Sequence, residues 1–101
     1  MSNTSTHVPE SPESITGLSE TEQYRLLSVE RRRLVLDILE GQTATTLDRL
    51  ASAVVRREPG LDPADVSATQ RVRVSLHHKH LPLMAELGVL EYDDEANRIR
   101  L

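Results

Sequence analysis

From residue 47 the chain sets Leu47, Leu50, Ala51, Val54 and Val55 at the i, i+3, i+4, i+7, i+8 spacing of one helix face. The stretch TTLDRLASAVVRRE therefore predicts an amphipathic helix. Thr46 caps it, since a threonine hydroxyl can accept from the free amides of a first turn. Glu58 precedes Pro59-Gly60, which ends it. Upstream, VERRRLVLDILE predicts a helix over about 29–40, with Leu34, Val35, Ile38 and Leu39 as its apolar stripe and Gly41 as its stop. Ser19 and Glu22 form a capping box, S-x-x-E, and open a shorter helix through Tyr24 and Leu27. Residues 1–18 are rich in Ser, Thr, Pro and Glu without apolar period, and read as a disordered acidic tail.

Beyond the loop PGLDPADV, Ser67 and Gln70 make a second box, S-x-x-Q, opening a helix from about 68 to Gly88. At about 100° per residue, Leu76, His77, His80, Leu81, Met84 and Leu87 fall in one broad apolar arc. Arg71, Ser75, His78, Lys79, Pro82 and Glu86 fall on the other side. Pro82 removes one hydrogen bond, yet the apolar register continues past it. One helix with a kink or loosened turn near 78–82 is expected. The end reads as a hairpin, Val89–Tyr92 and Arg98–Leu101 around DDEAN. Alternation buries Leu90, Tyr92, Ile99 and Leu101 and sends Glu91, Arg98 and Arg100 to solvent.

Composition narrows the classes. One domain fits in 101 residues, its core built from Leu, Val, Ile and Ala because aromatics are only 2%. No apolar run nears the ~20 residues a bilayer span needs, and no basic-then-apolar leader is read, so a cytoplasmic protein is expected. With no cysteine, disulfides and thiolate metal sites are excluded. The net charge of −4 belongs to the first 22 residues, so residues 23–101 sum to zero. Of the twelve bases only Lys79 is lysine. Few lysines beside many acids suggest a high-salt cytoplasm, although a GC-rich genome favours arginine as well. Arg31–Arg33 read as a solvated face, with Glu30, Asp37 and Glu40 in pairing range.

The stretch SLHHKHLP (75–82) crowds three histidines into four positions. They do not act together: His77 and His80 border the core face, while His78 looks outward. A metal shared by His77 and His80 lacks a third and fourth ligand, since His7 lies in the tail. A half-buried histidine bonded to backbone is the expected fate instead. Neither a nucleophile motif nor a phosphate-cradling glycine loop is present, so an enzyme, a cofactor and a small-molecule substrate are not expected.

LSVERRRLVLDIL (27–39) resembles the opening helix of small prokaryotic winged-helix regulators. TTLDRLASAV (45–54) resembles their second helix, and HLPLMAELGVLEY (80–92) the end of their recognition helix running into the wing. The likeness covers about 27–101 and is nearest to short haloarchaeal winged-helix proteins with SL-x-H-x-HLP-x-L. It implies a mainly α (α+β) winged helix-turn-helix domain over 19–101. Three core helices would be joined by an N-terminal helix and a C-terminal β-hairpin wing (89–101). The resemblance further implies that the helix 68–87 enters the major groove of double-stranded DNA, as in a transcriptional regulator. Carried over by position, the DNA-binding candidates are Thr69, Arg71, Ser75, His78 and Lys79, with Arg98 at the wing base. Arg71 would grip a guanine edge and Lys79 a phosphate, while Ser75 and His78 make single hydrogen bonds. Alternatively Arg71 and Lys79 are a solvated face, and Arg98 and Arg100 pair with Glu91 or Asp93. A homodimer is expected from the spare apolar side chains Tyr24, Leu26 and Leu27. The eight residues from Pro59 to Val66 exceed the three or four of a usual helix-turn-helix, and the body is neutral. Both features keep open an adaptor module that binds protein without DNA.

Overall fold

The computed structural model describes residues 17–101. The tail expected over 1–18 lies outside the described residues apart from Gly17 and Leu18, and Leu18 packs against the core. The elements run α1 (Glu20–Leu27), α2 (Glu30–Leu39), β1 (Ala44–Thr46), α3 (Leu47–Arg57) and α4 (Val66–Ser75). A π turn (Leu76–His80), α5 (Leu81–Glu86), β2 (Glu91–Asp93) and β3 (Arg98–Arg100) complete the chain. The result is a mainly helical α+β fold.

Ser19 and Glu22 close the capping box reciprocally, at 3.1 and 3.0 Å. Thr46 accepts from the Arg49 amide at 3.2 Å, and the five apolar positions of α3 are all buried. These join Leu26, Val35, Val72, Leu76, Leu81, Met84 and Ile99 in one aliphatic core. A fully buried side chain of this kind contributes about 1.5–3 kcal/mol.

The segment joining α3 to α4 is eight residues, Glu58 to Asp65. The cap of α4 is not the expected Ser67–Gln70 box. Asp65 accepts from the Ser67 amide at 2.9 Å and starts the helix at Val66, because a carboxylate two residues earlier reaches the same free amides. Its charge also suits the positive end of a helix. The Ser67 hydroxyl is thereby left to accept from Arg71 at 2.7 Å.

The loosened turn expected near Pro82 is the π turn, where the Leu81 amide bonds back five residues to the Leu76 carbonyl. Its cause is in the core as much as in the proline. Leu76 and Leu81 are both fully buried, yet five residues of regular α-helix would set them about 140° apart. One wider turn brings both inward, along with Met84. The chain stays helical from Val66 to Glu86.

The sheet is antiparallel in the order β1-β3-β2. Thr45 and Tyr92 both stand opposite Ile99, whose side chain is fully buried. The hairpin was legible in the pattern, but β1 was not. Leu101, expected on the buried face, lies one residue beyond β3 and is half-exposed. Its amide still donates to the Thr43 carbonyl at 3.0 Å.

Of Arg31–Arg33, expected as a solvated face, only Arg33 is exposed. Arg32 is 6% exposed; its Nε donates to the Leu26 carbonyl at 3.1 Å and its Nη2 to the Arg25 carbonyl. Arg33 reaches the Leu27 carbonyl. Two cations of α2 therefore cap the C-terminal carbonyls of α1, where the helix dipole is negative. Arg31 makes a bidentate pair at 2.8 Å with Glu58, beyond α3, rather than with Glu30 or Glu40. Asp37 pairs instead with Arg57, at 3.4 Å.

Candidate nucleic-acid interface

The longest exposed helical face belongs to α4 and the π turn. Ala68, Val72, Leu76 and His80 point into the core and fix the roll of this helix. Of the predicted contact residues, Arg71, His78 and Lys79 are exposed and Thr69 and Ser75 are half-buried. The last two flank the buried stripe, so the structure places them at the edges of the face rather than on it. Its middle is occupied by Ser67, Gln70 and Val74, all exposed. Sequence reasoning missed Gln70 and Val74. Taking Val72 as the innermost residue would have found them, since a neighbour two positions away lies on the opposite side.

From Val66 to His80 the chain carries Arg71, Arg73, Lys79 and three histidines, and no carboxylate. A body that is neutral as a whole thus presents one acid-free helix. The hairpin differs. Asp93, Asp94 and Glu95 make its tip acidic, with the Asp93 carboxylate accepting the Glu95 and Ala96 amides at 3.1 Å. Arg98, expected at the wing base, is exposed but stands opposite Asp93 beside the acidic turn, while Arg100 lies 3.7 Å from Glu91.

Polar contacts hold the face against the rest. Arg73 donates to Asp48 of α3 at 2.6 Å. The Asn97 amide, oriented to satisfy both of its ends, accepts from Arg73 at 3.3 Å and donates to the Asp94 carbonyl at 3.2 Å. Asn97 itself adopts a positive φ of 56°, and its carbonyl accepts the Leu47 amide at 2.9 Å. His77 Nδ1 lies 2.6 Å from the Tyr92 hydroxyl. Burial pushes the Tyr92 phenol up, aided by Asp94 and Asp93 and opposed by Arg73. The hairpin is therefore tied to the long helix at two points.

His80 is buried with its Nδ1 3.3 Å from Arg32 Nη1. An arginine only donates, so Nδ1 accepts and the ring is neutral. Burial first, then the Arg32, Arg31 and Lys79 charges, lower its pKa to about 4 against a weaker pull from Glu58. The Arg31 hydrogen bond holds Glu58 below the usual carboxylate range. His77 and His80 thus bond to side chains rather than to backbone, as had been expected. They serve different partners, Tyr92 and Arg32, on different elements. Among the described residues no three His, Asp or Glu side chains gather as a metal site, and no helix is long and apolar enough to cross a membrane.

Of the three residues read as spare apolar surface on α1, Leu26 is fully buried in this chain's own core and Leu27 packs against it. Tyr24 alone stands out, 73% exposed.

A family model described as "Domain of unknown function (DUF7344)" matches residues 24–100. No curated protein matches the chain, and no solved structure does.

Proposed function

We propose that the chain, which belongs to the family of the domain of unknown function DUF7344, is a winged-helix, DNA-binding transcriptional regulator. The order helix, helix, strand, helix, long helix, hairpin, with β1 paired to β3, supports the winged-helix reading. In it α4 and the π turn lie in the major groove, and the hairpin is the wing. The observation that carries the reading is the acid-free stretch Val66–His80, with Arg71, His78 and Lys79 exposed along it. Phosphate contact favours such a surface, and an arginine fork matches a guanine edge. The acidic tip keeps the wing away from phosphate, and Arg98, opposite Asp93 beside that tip, adds little, so the long helix carries the contact. A homodimer on a pseudo-palindromic site would bring Tyr24 of each α1 to its partner. Selection of bound fragments from the host genome is the test. One enriched sequence with the wild type, lost with Arg71→Ala plus Lys79→Ala, supports the reading; equal recovery with both proteins overturns it.

The acidic tip also favours a second reading, an adaptor whose hairpin meets a basic protein surface. A pulled-down partner released by Asp93→Asn plus Asp94→Asn, with no fragment enriched, would select it.

A further inference from the structure

Resting on the regulator reading, we infer that Gln70 and Val74 read an A·T step, Gln70 on an adenine edge and Val74 against a thymine methyl group. Each lies two residues from Val72, which is 1% exposed, and therefore at the centre of the outward face. Val74 is 47% exposed. Neither packing nor propensity accounts for it, since a β-branched side chain on an open helix loses rotamer freedom without burying surface. Against a thymine C5-methyl the same side chain loses its contact with water. Gln70 carries both an amide acceptor and a donor, the pair that an adenine N6–N7 edge complements.

The spacing fits. Four helical residues rise about 6 Å, which is less than two base-pair steps of about 3.4 Å, so both side chains reach neighbouring pairs. Arg71, adjacent to Gln70, is held at 2.7 Å by Ser67 and so points along the helix rather than across it. The charged groups along this helix are Arg71, the Asp48-bound Arg73 and Lys79, with the Asp65 cap five residues before Gln70. Lys79 positions the face on the duplex, and the uncharged centre adds its own discrimination beside that of Arg71.

Atom-level changes to the DNA test this. In the best selected site, each thymine is replaced in turn by deoxyuridine, which lacks the methyl, and each adenine by 7-deazaadenine, which lacks N7. Wild-type affinity should fall about fourfold at one thymine and about tenfold at one adenine. Val74→Ala should abolish the response to deoxyuridine alone, and Gln70→Ala the response to 7-deazaadenine alone. Both positions are exposed, so the variants keep the fold. Binding that is sequence-selective yet indifferent to every substitution, or variants that respond as the wild type does, overturns the inference and leaves the regulator reading standing. No selective binding at all overturns both.

Discussion

The Arg32 guanidinium lies 3.3 Å from the Nδ1 of His80, two basic side chains buried together with, among the described residues, no carboxylate bonded to either. The cation is held by α1 carbonyls and the imidazole by its neutrality. The pair joins α2 to the π turn, so it fixes where the long helix begins its second half.

This arrangement makes stability depend on pH in a definite window. His80 has a folded pKa of about 4 against an ordinary 6.5, so the unfolded chain takes the proton first. Above pH 6.5 the group contributes nothing, because both states are neutral. As pH falls from 6.5 towards 4, stability is lost at up to about 1.4 kcal/mol per unit. Glu58, whose pKa is lowered, adds a further loss below its ordinary value of 4.5. Urea melts between pH 4 and 8 should show the slope. His80→Gln, which still accepts from Arg32 but does not titrate, should flatten it; an unchanged slope would reject the assignment.

Arg32→Met leaves the Leu26 carbonyl without its side-chain donor and the Arg25 carbonyl with only the Ser28 hydroxyl, at 3.4 Å. An unsatisfied buried polar group costs about 1–3 kcal/mol, so the variant should lose roughly 2–4 kcal/mol in denaturant melts. Arg33→Ala, whose partner carbonyl is exposed to water, should lose under about 1 kcal/mol. Equal losses for the two would mean that burial of Arg32 contributes nothing.

Tyr92→Phe deletes the hydroxyl bonded to His77 while keeping the ring. The loss should be near 1 kcal/mol and fall on the hairpin. Hydrogen exchange should speed up in β2 and β3 and leave α2 unchanged. Uniform acceleration across the chain would show that the contact does not anchor the hairpin separately.

Pro82 is exposed, and the π turn persists because Leu76 and Leu81 must both face inward. Pro82→Ala should keep that turn and change stability by less than about 1 kcal/mol. A regular α-helix through 76–82 in the variant, seen in backbone chemical shifts, would make proline the sole cause.

Much of this was legible in the chain because one face of each element answers to one core. The Ser19–Glu22 box, the stripe from Leu47 to Val55 and the continuity of the helix past Pro82 follow from spacing alone. What was hidden depends on partners distant in sequence. Ala44–Thr46 becomes a strand only because β3 pairs with it, and three residues are too few to show alternation. Arg32 looks solvated until α1 folds back and offers its carbonyls. The choice of Asp65 over Ser67 as cap turns on where the preceding loop releases the helix. Ser75 was assigned outward from the pattern after residue 71 and Thr69 by resemblance alone, and without Val72 as the innermost residue Gln70 and Val74 stayed concealed.

The most direct test of the account is fluorescence anisotropy of the full chain on a selected duplex over a series of KCl concentrations. The wild type should bind selectively, with log affinity falling linearly in log salt. Lys79→Ala should reduce that slope by about 1 and weaken all sequences alike, whereas Arg71→Ala should relax selectivity by about 1–3 kcal/mol at one position. Identical slopes and selectivity for all three proteins, or no duplex bound at any salt, would contradict the claim that the face from Val66 to His80 meets DNA.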